Sequence, residues 1–388
     1  MENGEARTDV AMPLQLGSII GQGTSGVVSE LLNAIDGGRY VIKTVQLDRS
    51  QDARLALQEV RIHRIVSEGC SCVVRYAFAT LAGERLLVCM EACDVILWDV
   101  LNATGESRRD FSVGGLARGG LAREGEQWTQ KMAISEELCS AVQHCHQRLV
   151  IHRDVNPWNV FLTRRHGQGP ELAAKLGDFG LAVLLPDGAA ELTGIEAEDA
   201  VPLDESAMGS LYSAPELGQR YGFAADVFST GMTLLALWSA ASCDNEEALI
   251  TITERAKAGE SCEAGVLSGA GAACLPLLRS MLSSRPSDRP HAPAVCATLT
   301  RLCEESAAKR GLRSGVDQCF RNYFGERRLV TWDQLSRVLA FCAPDDASLQ
   351  ALRNVWGQDV DGVLDYTHFL DWIFQQGDVR EARGKSLD

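Results

Sequence analysis

The chain has 388 residues, 46% of them hydrophobic, and its 37 basic and 52 acidic residues leave a formal charge of −15. That length allows two or three domains with a sizeable core. The acidic balance excludes a general basic surface for nucleic acid or an anionic membrane, while leaving room for a local basic pocket around a phosphate. The thirteen cysteines are scattered, Cys70 and Cys72 stand one residue apart, and no zinc-type spacing or N-terminal apolar signal core is present. Reduced thiols in a cytoplasmic protein are expected, with the nucleus as a second compartment.

Residues 14–48 predict strands. LGSIIGQGTSGVVSELLN is β-branched and broken by glycines, Asp36-Gly37 marks a hairpin turn, and RYVIKTVQL alternates like the next strand. Residues 50–66 carry helical spacing through Leu57, Val60, Ile62 and Ile65, and LLVCMEA (86–92) is a further strand. A Gly/Arg-rich stretch, 102–125, predicts a solvated loop between the helical segments VILWDVL and WTQKMAISEELCSAVQHCHQRL. Short strands VIHRD, NVFLT and AAKLGDF follow, then an acidic loop over 186–208 and a mainly helical block from Ala224 to Glu304. Within that block Val227–Ala241 is the longest apolar run. It is too short and too rich in Ser and Thr to span a bilayer, and it predicts a buried helix. Strands first and helices second predict two lobes of an α+β fold rather than a doubly wound sheet.

Three motifs carry chemistry. Gly21, Gly23 and Gly26 form G-x-G-x-x-G followed by Val28, and strand-like sequence continues where a dinucleotide fold would start a helix. Such glycines let backbone N–H groups approach phosphates. Lys43 on the next strand offers a compact cation to phosphate oxygens, and Glu59 on the following helix can pair with it. In IHRDVNPWNVFL, Asp154 can accept a proton from a hydroxyl and Asn159 offers a neutral oxygen to a magnesium ion. Asp178, in Asp178-Phe179-Gly180, adds a carboxylate for a metal shared with phosphates.

These blocks, in this order, resemble the eukaryotic protein kinase superfamily over 14–304. KLGDFGLA and LLVCMEAC are closest to NIMA-related and similar serine/threonine kinases. The resemblance implies a bilobal fold, with a β-rich N-lobe over 14–91 and a helical C-lobe over 94–304, ATP and Mg2+ in the cleft between them, and a protein substrate. It places Asp154 as catalytic aspartate, Lys43 and Glu59 as its ATP-positioning pair, and Asn159 and Asp178 as metal ligands. The nucleotide would meet Gly21, Gly23, Gly26, Val28, Val41 and Lys43, with Met90 as gatekeeper and Glu91 to Cys93 as the hinge. Ala214-Pro215-Glu216 matches the end of the activation segment, Asp226 the buried support of the catalytic loop, and Arg289 the partner of Glu216. Neither nucleic acid nor a membrane is an expected partner.

The pattern is broken at Asn156, where serine/threonine kinases usually carry a lysine that neutralises phosphate charge. Asn brings hydrogen bonds but no charge. Slow transfer and a nucleotide-binding scaffold without efficient transfer both remain open. Val41 stands where an alanine commonly roofs adenine, and GSLYSAPE is one residue short, with Ser210 in the threonine's place. Thr193, Ser206 and Ser210 are candidate phosphorylation sites beside Arg153. Before the kinase segment lies a tail over 1–13. After it come a linker over 305–313, two helix-loop-helix patterns over 314–376 resembling a degenerate EF-hand pair, and a tail over 377–388. Asp359, Asp361 and Asp365 fall at ligand positions, but Gly357 and His368 replace the first acid and the last glutamate, so tight calcium binding is not expected. A small helical bundle is the other reading of this segment, and a contact between tail and kinase domain is a partner the arrangement allows.

Overall fold

A computed structural model describes residues 14–23, 26–47, 50–102, 124–165, 172–186, 191–193, 211–217, 220–240, 246–259, 269–325, 327–339, 363–367 and 369–370. Two compact units divide the chain, Met1–Leu299 and Thr300–Asp388.

The first unit opens with β1 (Leu14–Gly23), β2 (Gly26–Asn33), β3 (Arg39–Gln46), α1 (Ser50–Ser67), β4 (Tyr76–Ala82) and β5 (Arg85–Glu91). The strands form one antiparallel sheet in the order β1-β2-β3-β5-β4. The hairpin falls where Asp36-Gly37 predicts it. Gly37 sits at φ 66 and donates to Asn33 O at 2.9 Å, and Asp36 Oδ1 accepts from Gly38 N at 2.6 Å. Helix α1 buries Ala56, Ile62, His63 and Val66, whereas Leu57, expected on the apolar stripe, is 52% exposed. Residues 56, 59, 63 and 66 are three or four apart, so the buried stripe also carries Glu59 toward the sheet.

The second lobe comprises β6 (Val95–Ile96), α2 (Leu97–Asn102), α3 (Glu124–Gln147), β7 (Val150–Ile151), β8 (Val160–Arg164), β9 (Leu172–Leu176), β10 (Val183–Leu184), β11 (Glu191–Thr193), β12 (Arg220–Gly222), α4 (Phe223–Ser239), α5 (Glu246–Lys257), α6 (Leu275–Met281) and the start of α7 (Ala292–Phe324). It is helical apart from short ladders, as the α+β bilobal expectation requires. Helix α4 is buried from Ala225 to Ser239. Thr230 and Thr233 tolerate this by donating to the carbonyls of Asp226 (2.7 Å) and Ser229 (2.9 Å) one turn back. Among the described residues no helix is long and apolar enough to cross a membrane. The loop expected over 102–125 lies outside the described residues between 103 and 123, as does most of 186–208.

In the second unit α7 runs to Phe324, so residues 305–313, expected as a linker, are helical. Strand β13 (Leu329–Thr331) leads into α8 (Trp332–Leu339) and pairs antiparallel with β14 (Val363–Asp365). Val330 lies opposite Leu364. Both join a core with Phe320, Leu335, Val338, Leu339, Tyr366, Phe369 and Leu370, and Trp332 packs edge-on to Phe369 at 5.9 Å. Gly357, Asp359, Asp361, Gly362 and His368 lie outside the described residues.

Candidate active site

Strand β3 buries Lys43 and points it at two acids from different elements. Its Nζ is 2.7 Å from Glu59 Oε1 on α1 and 3.5 Å from Asp178 Oδ1 after β9. Burial works against the ammonium, but the charges of Asp178 and Glu59 prevail and raise its pKa. Burial raises Glu59, with Lys43 opposing. Burial would raise Asp178 as well, yet Lys43 and the Gly180 N–H, 3.2 Å from Oδ1, hold it below the ordinary value. Asp178 sits at φ 57, a conformation rare for a side-chain-bearing residue, which aims its carboxylate into the cleft.

Behind Asp178 four rings stand in a row. Tyr76 meets His63 edge-on at 5.8 Å, His63 stacks on Phe179 at 5.2 Å, and Phe179 meets His152 at 4.9 Å. His63 Nε2 lies 2.7 Å from Val74 O, so that nitrogen carries the proton. Burial lowers the His63 pKa. Sequence reading passed over His63, although its place four residues after Glu59 on the same helical stripe is a usable signal.

The catalytic-loop sequence is held from beneath by Asp226 on α4. Its Oδ2 and Oδ1 accept from the backbone N–H groups of His152 and Arg153, both at 2.8 Å, and His146 Nε2 lies at 2.9 Å. Burial alone would favour the neutral acid, but these hydrogen bonds and the histidines hold Asp226 ionised. Above it, Asp154 Oδ1 accepts from Asn156 Nδ2 and Oδ2 from Asn159 Nδ2, both at 2.7 Å. Burial raises the Asp154 pKa, and the charge of Asp178 adds to the rise. Asn156 also accepts from the backbone N–H groups of Trp158 (3.0 Å) and Asn159 (3.1 Å), closing the turn. Asn156 is therefore built into the loop.

Arg289 completes this floor. Its guanidinium meets Glu216 at 2.5 and 3.0 Å and lies 4.8 Å from the Phe228 ring. Trp98 and Trp158 lie 4.1 Å apart, their rings tilted by 30°, with Tyr212 edge-on to Trp158 at 5.7 Å. No spacing rule in the sequence joins these three rings; only the fold does.

A cleft of about 790 Å³ lies between the lobes, lined among others by Val28, Val41, Lys43, Met90, Cys93 and Asp178. Gly21, Gly23 and Gly26 lie at the end of the β1–β2 hairpin, where Gly23 pairs with Gly26. Gly26 sits at φ 131, and a Cβ there would come within 2.4 Å of Thr44 O, so only glycine fits. The Cys93 thiol is pushed up to about 12 by burial. Glu91 borders the cleft, but its carboxylate is engaged elsewhere: Oε1 accepts from Arg75 N at 2.7 Å and from Lys175 Nζ at 2.8 Å. Ser206 and Ser210 lie outside the described residues, and Thr193 ends β11.

The protein kinase domain model matches residues 14–299. The chain belongs to the protein kinase family. Among curated relatives it is 26% identical over 306 residues to the interferon-induced, double-stranded RNA-activated protein kinase of Mus musculus, covering 75% of this chain and 51% of that one. To the serine/threonine protein kinase OSK3 of Oryza sativa subsp. indica it is 24% identical over 261 residues, 66% of this chain and 44% of the relative. To the membrane-associated tyrosine- and threonine-specific cdc2-inhibitory kinase wee-1.3 of Caenorhabditis elegans it is 30% identical over 222 residues, 57% and 27% of the two lengths. The chain thus spans about half or less of these relatives. Family membership carries the general expectation of ATP and Mg2+ use and of protein substrates.

Proposed function

We propose that the protein is a serine/threonine kinase whose transfer step is slowed at Asn156. The observation that carries this reading is the convergence on one cleft of Lys43, Glu59 and Asp178, with Asp154 and Asn159 held on the adjoining loop. The donor set fits a magnesium nucleotide: Asp178 is held ionised, and Asn159 uses its amide nitrogen on Asp154, leaving the amide oxygen for a cation. When bound, that nucleotide supplies the phosphoryl group.

The chain's own residues do the rest. Lys43, fixed by Glu59, presents a cation to phosphate oxygens. The hinge over Glu91–Cys93 and the apolar Val28 and Val41 enclose the base. Asp154, with its raised pKa, takes the proton of an incoming serine or threonine hydroxyl. Each of its oxygens keeps a free lone pair beyond the amide it already accepts. Asn156 orients this base and contributes no positive charge, so charge developing on the phosphoryl group is less well neutralised. In the second unit, the pairing of Val330 with Leu364 supports a degenerate EF-hand-like pair over 314–376.

Incubating the purified protein with Mg-ATP and a generic protein substrate, then identifying the phosphorylated residue, tests the proposal. Phosphoserine or phosphothreonine is expected. Nucleotide binding with no transfer to any protein, itself included, would establish the second reading, a nucleotide-binding scaffold, which Asn156 independently motivates.

A further inference from the structure

Cys70 and Cys72 flank Ser71 in the turn after α1, and both are partly exposed. Strand β9 holds this turn: Leu176 N donates to Cys72 O at 2.8 Å, and Val74 N donates to Leu176 O at 2.9 Å. Lys175 Nζ, from the same strand, donates to Ser71 O at 3.0 Å and to Glu91 Oε1 at 2.8 Å. A polar chain therefore runs from the peptide group between the cysteines, through one ammonium, to the residue that ends β5 at the cleft. Just before the turn, the end of α1 is tied to Arg148, which follows α3. Arg148 donates to Ile65 O (3.1 Å) and Glu68 O (3.0 Å) and lies 3.0 Å from His144 Nδ1.

The two cysteines stand one residue apart, and Ser71 Oγ lies 4.0 Å from Cys72 Sγ. Hydrogen bonding from Cys72 brings the Cys70 thiol down to about 6, with backbone N–H groups and His144 adding, and the same pairing pushes Cys72 well up. This pairing favours a thiolate on Cys70 beside a protonated Cys72. Cys139, Cys145 and Cys274 are buried, and burial pushes their thiols up. Among the described residues no cluster of three His, Cys, Asp or Glu could hold a metal ion.

We propose that Cys70-Ser71-Cys72 is a thiol-oxidation site whose reactant is a hydroperoxide, and that closing its disulfide alters the Ser71–Lys175–Glu91 link to the cleft. The Cys70 thiolate attacks a peroxide oxygen. The O–O bond breaks, hydroxide leaves when the oxidant is hydrogen peroxide, and Cys70 becomes a sulfenic acid. Cys72 gives its proton to that hydroxide and attacks the sulfenyl sulfur. The S–S bond forms, the S–O bond breaks, and the second hydroxide leaves. Two electrons pass from the thiols to one peroxide. The sulfurs must close to about 2.05 Å. Only one residue lies between them, so the peptide carrying Ser71 O turns as they close. A disulfide across one residue is strained and readily reduced, which places it with reversible switches rather than structural bridges.

The full-length reduced chain is treated with one equivalent of hydrogen peroxide, alkylated and digested with trypsin, which leaves both cysteines in the peptide 65–75. The expected product is that peptide about two mass units lighter than its reduced form, closed to alkylation and reopened by dithiothreitol. In Cys72→Ser the same peptide should gain about 16 mass units as a dimedone-reactive sulfenic acid. Before oxidation, Cys70 should alkylate at pH 6 on the order of tenfold faster than free cysteine, since its larger thiolate fraction outweighs its lower nucleophilicity. A peptide that stays fully open to alkylation at peroxide levels that oxidise free cysteine overturns the site. The link to the cleft rests on the nucleotide reading and has its own readout. Affinity for a fluorescent ATP analogue should fall several-fold on oxidation of the wild type and not of Cys70→Ser. Equal affinity before and after disulfide closure overturns the link. A reduced chain that binds no nucleotide would instead count against the kinase reading, and the mass readout would still decide the thiol chemistry.

Discussion

Asp178 and Asp154 are two acids of one cleft with opposite surroundings. Asp178 faces the ammonium of Lys43 and a backbone N–H, and its pKa is lowered despite partial desolvation at the cleft. Asp154 faces two neutral amides, from Asn156 and Asn159, and burial prevails to raise its pKa. Lys43 overcomes desolvation at Asp178, whereas at Asp154 His152 and the two amides only moderate it. On the proposed reading the two halves are therefore unequal: Asp178 has the Lys43 cation beside it, and Asp154 is oriented by amides that carry no charge.

The sharpest way to break this comparison is to remove each half in turn. Asp154→Asn should lower phosphotransfer by about 10²–10⁴-fold, the usual worth of a general base, while nucleotide affinity stays near wild type. Lys43→Met should cost on the order of 10²-fold in transfer, the scale of losing one group that stabilises transition-state charge, and should also weaken nucleotide binding. Titration with a nucleotide analogue alongside a phosphate-transfer assay separates the two. If both variants lost binding equally, the division between a nucleotide side and a transfer side would fail.

Asn156 gives the next largest effects. Asn156→Lys should raise turnover by about tenfold or more if absent charge limits the transfer step. Asn156→Ala should act through pH. The amide of Asn156 holds the Asp154 pKa down, so its loss raises that pKa further. Activity needs Asp154 ionised, so the acid limb of the rate profile should begin at higher pH in the variant than in wild type. An unmoved limb would show that Asp154 is not the titrating base.

The comparison also explains what the sequence made legible. Lys43, Glu59, Asp154, Asn159 and Asp178 occur in blocks with fixed local spacing, and their order points to a bilobal fold and a phosphate cleft. Asp226 and Arg289 were equally legible because each sits in a recognisable run, and both make the contacts expected of them. Direction was not legible. Glu91 stands where a hinge acid should, but its carboxylate goes to Lys175, which is 84 residues away in sequence and carries no local signal. The aromatic pair Trp98 and Trp158 and the ring row through His63 likewise join distant segments. Leu57 shows a subtler limit: several apolar periodicities fit one helix, and only packing against the sheet decides between them.

The smallest expected effect tests the bridge between the two acids. His63 stacks on Phe179, next to Asp178, and Phe179 meets His152, two residues before Asp154. Burial lowers the His63 pKa, with Lys43 also opposing its charge, while Val74 O, Asp178 and Glu91 favour it. Its folded value therefore lies below the unfolded value of about 6.5. The unfolded chain binds the proton first on acidification, so the contribution of neutral His63 to stability is complete above about pH 6.5 and is lost as pH falls toward the folded value. His63→Leu takes up no proton. It also forfeits the hydrogen bond to Val74 O, a loss of about 1 kcal/mol. The variant should therefore be slightly less stable at pH 7.5 and lose less stability than wild type between pH 7.5 and 5.5, as measured by thermal unfolding. Identical slopes in the two proteins would mean that the ring row holds both acids in place without sensing protons at His63.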